Sequence, residues 1–324
     1  MVTPGYHPPW WYRGRHLQTL WGPVLRRFRR PPLRRERLHT PDGDFLDLDW
    51  LAVSGAGAPL VLILHGLEGS SRSHYVSGLL REVSGLGLRG VVLNFRSCSG
   101  ELNRAPPLYH SGETSDLEWV VDRLLEREPA LRVGLIGVSL GGNVALKWLG
   151  ERGHDAPKPV VGAVAISTPF DLAACAQVLD RGLARSLYTA EFLRTLRAKV
   201  KAKAHLYDGR LDVKAALRAR TFAEYDHVVT APLYGFADER DYWTRSSSGR
   251  YLAGIRRPCL LINAVNDPFV PPSSLPAEAV ARSPWLEALF PREGGHAGFL
   301  EGPFGRRSWS ERRALAFLQP RLLP

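Results

Sequence analysis

Ser139, Asp267 and His296 have the residue types and the chain order that nucleophilic catalysis requires. A serine hydroxyl is nearly inert at neutral pH. It attacks a carbonyl only when a base lies within hydrogen-bond reach and an acid orients that base. Ser139 is the centre of Gly137-Val138-Ser139-Leu140-Gly141. With 31 glycines in 324 residues, such a pentapeptide arises by chance about 0.2 times in a chain this long, so its surroundings must decide. Residues 131–136 form an apolar run of strand length, and residues 142–149 have the composition of a helix. A serine on so tight a strand-to-helix turn is held in a strained backbone that bares its hydroxyl, with glycines where side chains would clash.

The partners should follow in the order acid, then histidine. Asp267 stands in Asn266-Asp267-Pro268, after the apolar run 259–265, where a parallel sheet ends a strand. His296 stands in Gly294-Gly295-His296-Ala297-Gly298, and of ten histidines it alone lies after both serine and acid. Asp238 and Asp241 compete as acids but lack a preceding strand. The developing oxyanion needs two backbone N–H donors. Leu140, next to the serine, supplies one; the second is assigned to Leu67 in His65-Gly66-Leu67-Glu68-Gly69, after the apolar run 60–64. His65 reads as bonded to nearby backbone, Arg96 as the partner of Asp116, and His110 and Glu113 as structural. Cys98 has no base pattern around it. Nothing resembles a phosphate loop, a dinucleotide fingerprint or a zinc site, so neither cofactor nor metal is expected.

The elements that must position these residues alternate. Residues 45–52 alternate apolar and acidic, as a strand with one solvated face would; residues 60–65, 91–95, 131–136, 160–166 and 259–265 read as further strands, with a weaker one at 286–290. Helical patterns fall at 74–86 and 114–126, and a last helix starts near residue 310. This predicts an α/β fold with a mostly parallel sheet covered on both faces. Residues 171–251 are helix-rich, basic and strand-free, and read as a helical cap inserted into a single domain spanning 41–324. No apolar stretch approaches the ~20 residues of a membrane span. No secretory signal is legible, and three scattered cysteines offer no disulfide framework, which together point to the cytoplasm.

The net charge of +11 arises largely in residues 1–40, read as a basic extension packed on the body. Leu17, Leu20, Trp21, Val24, Leu25 and Phe28 fall at helical spacing, interrupted at Gly22-Pro23, among arginines that include Arg26, Arg27, Arg29, Arg30, Arg34 and Arg35. The favoured reading is a docked helix with its arginines in water; the second is weak peripheral contact with anionic lipid. Nucleic acid is not an expected partner, since no reader motif accompanies the charge.

His16-Leu17-Gln18-Thr19-Leu20, His65-Gly66-Leu67-Glu68-Gly69-Ser70, Tyr109-His110-Ser111-Gly112-Glu113-Thr114, the Ser139 pentapeptide with Gly142-Asn143, and Gly294-Gly295-His296-Ala297-Gly298-Phe299 together resemble the YheT-like branch of the α/β-hydrolases. Residues 221–226 and 230–236 are similar too. The resemblance spans residues 16–300 and implies the α/β-hydrolase fold and a serine hydrolase acting on small carboxylic esters, short- to medium-chain acyl esters or acylglycerols. It carries the triad onto Ser139, Asp267 and His296. Two departures stand out. Ser97 occupies a position where glycine is expected, and the membrane anchor of eukaryotic members has no counterpart here. Acyl transfer to an alcohol is the rival reaction, and a non-catalytic binding module the rival of another class.

Overall fold

Continuous apolar runs cannot leave one face in water, and here they stack into one buried sheet. The computed structural model describes residues 5–26, 31–52, 57–303 and 305–323. Eight strands, β1 (Leu33–His39), β2 (Phe45–Leu51), β3 (Leu60–Leu64), β4 (Arg89–Asn94), β5 (Val133–Val138), β6 (Val160–Ile166), β7 (Cys259–Ile262) and β8 (Leu286–Leu289), lie in the order β1-β2-β4-β3-β5-β6-β7-β8. β1 and β2 are antiparallel to their neighbours, and β4 through β8 are parallel. Every residue of β3, β5 and β7 is buried, as a sheet covered on both faces demands.

Helix α1 (Arg15–Leu25) packs on α2 (His74–Gly85), which with α3 (Ser115–Arg127) and α4 (Leu140–Arg152) covers the sheet. Between β6 and β7 run α5 (Leu172–Leu179), α6 (Ala190–Ala202) and α7 (Glu239–Ser246), joined by short helical turns; α8 (Trp309–Leu322) closes the described chain. Among the described residues no helix is long and apolar enough to cross a membrane.

Two expectations need correction. The acidic face of β2 is not solvated. Asp47 and Asp49 are buried because β1 sets Arg37 and Arg35 directly opposite them in register. Each guanidinium makes two bonds of 2.8–2.9 Å to its carboxylate. Burial pushes these carboxyls up, but the facing arginines outweigh it and hold both below the ordinary value. Part of the basic extension is therefore an edge strand, and the boundary at residue 40 cuts through a hairpin. The second correction concerns α1. It runs through Gly22-Pro23 without interruption, and it docks by Gln18, Thr19 and Gly22 while Leu17, Val24 and Leu25 of the expected apolar face are exposed. A Cβ on residue 22 would meet the His74 ring at 2.3 Å, so glycine there lets α1 close on α2. Arg26 is buried against Glu311 of α8, not in water. Phe28, Arg27, Arg29 and Arg30 lie outside the described residues.

Candidate active site

The turn after β5 is strained. Ser139 sits at φ 54°, ψ −121°, a region that a residue with a side chain occupies only when its surroundings force it there. A Cβ on Gly141 would lie 2.3 Å from the Leu64 carbonyl oxygen, and one on Gly137 2.3 Å from that of Gly141. Glycine thus lets α4 start hard against β3, with Ser139 lifted at the apex.

Asp267 follows β7 and His296 lies on the loop after β8, so side chains from beyond the ends of β5, β7 and β8 meet across the end of the intervening β6. His296 Nδ1 is 2.8 Å from Asp267 Oδ2, and its Nε2 is 2.9 Å from Ser139 Oγ. The second carboxylate oxygen accepts the N–H groups of Phe269 and Val270 at 2.8 and 3.3 Å. A carboxylate facing Nδ1 keeps the proton on that nitrogen and leaves the Nε2 lone pair toward the hydroxyl. Phe269 stacks on the imidazole, ring centroids 4.0 Å apart.

Leu67 and Leu140 line the same cavity as Ser139 and His296, and neither N–H donates to another group among the described residues. The turn carrying Leu67 is held on both sides. Gly66 N–H donates to the Tyr75 hydroxyl at 2.8 Å, and Glu68 N–H to the Tyr109 hydroxyl at 2.7 Å. Tyr109 O–H returns to Glu68 Oε1 at 2.8 Å, where Lys199 of α6 also donates at 2.6 Å. Glu68 itself is at φ 54°, so one tyrosine hydroxyl clamps the main chain and side chain of a strained residue.

The remaining sequence candidates are scaffold. His65 accepts Phe95 N–H on Nε2 at 3.0 Å and donates from Nδ1 to Gly66 O at 2.8 Å; burial pushes its pKa down to about 4. Arg96 grips Asp116 with two bonds. Asp238 caps α7 through Asp241 N–H. His110 is packed among Tyr234, Phe236 and Tyr242, and its Nδ1 accepts Gly112 N–H. Burial raises the Cys98 thiol to about 11. Ser97 adopts φ 62°, which explains why glycine is expected there, and its hydroxyl compensates by accepting Asn103 N–H at 3.0 Å.

Ser139 lies where two spaces meet. A narrow cavity of about 120 Å³ runs toward the helical segment between Ala176, Leu179, Phe192, Leu196 and Phe222. An open cleft of about 900 Å³ on the other side is more polar, with Thr19, Arg72, Ser73, Glu191 and Thr195 in its walls. One buried acid, Asp226, also lines the narrow cavity. Burial pushes it up to about 7, while Thr230 O–H and Trp243 Nε1–H donate to it at 2.6 and 2.8 Å.

Gln18, Thr19, Asn266 and Lys199 also bond into the loops of the site, and none has a local sequence pattern that marks this role. Gln18 and Thr19 were visible inside a motif, yet their partners lie more than 240 residues away along the chain.

Residues 59–303 match the family described as alpha/beta hydrolase fold. The Escherichia coli protein YheT, named as an esterase, is 38% identical over 292 residues, covering 89% of this chain and 84% of that one. The chain belongs to the YheT-like branch of the α/β-hydrolases. Phospholipase ABHD3 of Mus musculus is 32% identical over 95% of this YheT-like chain and 76% of its own. Among solved structures, the Pyrococcus furiosus esterase Pf2001 superposes with a TM-score of 0.58 at 20% identity, over 89% of this chain and 91% of that one. At that identity the likeness is one of fold.

Proposed function

We propose that this YheT-like chain is a serine esterase that cleaves carboxylic esters through an acyl-enzyme. The observation that carries the reading is the relay from Asp267 through His296 to Ser139, open to an apolar cavity. Ser139 Oγ attacks the ester carbonyl carbon while its proton passes to His296 Nε2, and the oxyanion is held by the Leu67 and Leu140 N–H groups. The Nε2 proton then goes to the leaving alkoxide. Water, deprotonated by the same nitrogen, releases the acid and regenerates the serine.

The narrow cavity suits a short to medium acyl chain, and the wide polar cleft suits the alcohol, including glycerol or a larger polar group. The names of its relatives, an esterase and a phospholipase, agree with acyl esters as the substrate class. The helical segment then acts as a cap that sets acyl size. All three cysteines are free, in keeping with a reducing cytoplasm.

Ser139→Ala should abolish both p-nitrophenyl ester turnover and fluorophosphonate labelling; labelling that persists in the variant sinks the assignment. Acyl transfer shares the first half-reaction, and the open cleft gives an alcohol room to replace water. Ester formation measured with added ethanol separates the two.

A further inference from the structure

The acid and the histidine both sit on loops, and the histidine loop is strained, with Ala297 at φ 53° and Phe299 at φ 47°. Such backbone persists only where the surroundings over-determine it. The surroundings are unusual here, because four successive N–H groups all go to side chains. Gly294 N–H donates to Gln18 Oε1 at 3.0 Å, Gly295 N–H to Asn266 Oδ1 at 2.9 Å, His296 N–H to Thr19 Oγ1 at 3.0 Å and Ala297 N–H to Ser167 Oγ at 2.9 Å.

Asn266 is the residue before Asp267, and its Nδ2 donates to the same Gln18 Oε1 at 2.9 Å. One amide oxygen on α1 is thus shared by the acid turn and the histidine loop. Gln18 is itself fully buried and doubly tied to Tyr12: Gln18 Nε2 donates to Tyr12 O at 2.9 Å, and Tyr12 O–H donates to Gln18 O at 2.7 Å. Thr19 O–H, having accepted from His296, donates to Arg15 O at 2.7 Å. We propose that Gln18 and Thr19 are positioning residues of the reaction. From α1 they hold the Asp267 turn and the His296 loop in the register that the bond between them needs.

This rests on the esterase reading, but it predicts more than stability. Neither residue hydrogen-bonds Ser139. Gln18 lines neither space beside Ser139 and acts through Asp267 and His296, while Thr19 borders the open cleft but commits its hydroxyl to His296 N–H and Arg15 O. A misplacement of the order of 1 Å in a catalytic group costs about 10²-fold. Gln18→Met keeps the volume and removes the shared acceptor. It should lower kcat about 10²-fold with KM within about twofold, the pattern of an interaction felt only in the transition state. Thr19→Val leaves His296 N–H without its acceptor and should act in the same direction, whereas Thr19→Ser keeps the hydroxyl and should retain activity.

The decisive measurement is a cycle with Asp267→Asn, a change that costs about 10⁴-fold in a serine triad. If Gln18 acts through the acid and the histidine, Gln18→Met should lower activity by less than about threefold further in that background. Full additivity overturns the proposal. A readout that does not depend on turnover accompanies it: the downfield proton resonance of His296 Nδ1–H, identified by its loss in Asp267→Asn, should broaden or disappear in Gln18→Met and Thr19→Val. An unchanged resonance with kcat near wild type in both variants also overturns it. A wild-type protein with no esterase activity refutes the esterase reading instead, and the resonance still tests the clamp.

Discussion

Tyr109→Phe is the cleanest probe of how the loop carrying Leu67 is set. The ring stays: it stacks on Phe95 with centroids 5.6 Å apart and planes 3° from parallel, and Lys199 lies 5.4 Å over it. Only the hydroxyl is lost, and with it the acceptor for Glu68 N–H and a donor to Glu68 Oε1. The carboxylate keeps Lys199, so the main cost is an orphaned, part-buried N–H, about 1–3 kcal/mol. The φ of 54° at Glu68 is no longer held from that side, and relaxing it swings the adjoining Leu67 peptide. If the Leu67 N–H holds the oxyanion as proposed, its complete loss costs ~10²–10³ in turnover, and partial loss of aim should cost about 10- to 100-fold. Urea unfolding should report the stability loss, and p-nitrophenyl ester kinetics a fall in kcat at nearly constant KM. A wild-type urea midpoint with kcat within about twofold would mean that the Tyr109 hydroxyl does not set this loop.

Three further outcomes follow from the geometry. Gly141→Ala drives a Cβ to 2.3 Å from the Leu64 oxygen, which should destabilise by about 3 kcal/mol or more and abolish probe labelling; a wild-type melting temperature contradicts this. Ala176→Phe fills part of the narrow cavity and should lower the octanoate-to-acetate ratio of kcat/KM about 10-fold or more, measured on a graded ester panel. His65 is buried neutral, its pKa pushed down from 6.5 to about 4. Between those values the unfolded chain binds a proton that the folded one refuses. Its stabilisation is therefore complete above pH 6.5 and falls as pH drops, by about 3 kcal/mol at pH 4. Urea midpoints against pH should show this fall, and His65→Gln should flatten it.

Strand ends were legible because continuous apolar runs such as 60–64 and 133–138 have no other packing solution. The placement of Ser139, Asp267 and His296 at those ends could be read from order alone. β1 was not legible: Leu-Arg-Arg-Glu-Arg-Leu-His carries charge on both faces, and it becomes a strand only because Asp47 and Asp49 stand opposite two of its arginines. The solvated face expected of β2 failed for the same reason. Gln18 escaped notice because hydrogen-bond partners 248 and 276 residues distant leave no local pattern. The two spaces beside Ser139 are products of packing between separate segments and have no signature in the chain.

The stitching of α1 to the far end of the chain bears on how the protein is made. Tyr6 reaches Leu300 across 294 residues, and Arg26 reaches Glu311 across 285. Contacts of such separation form late and slowly, since the intervening chain must be ordered first. A ribosome-bound chain that has already formed the Ser139 turn still has Tyr6, Gln18 and Arg26 waiting for surfaces not yet synthesised. On the proposed mechanism, truncated products would then carry Ser139 with no histidine to activate it. Ester cleavage would report completed synthesis, and prematurely released chains would be hydrolytically silent.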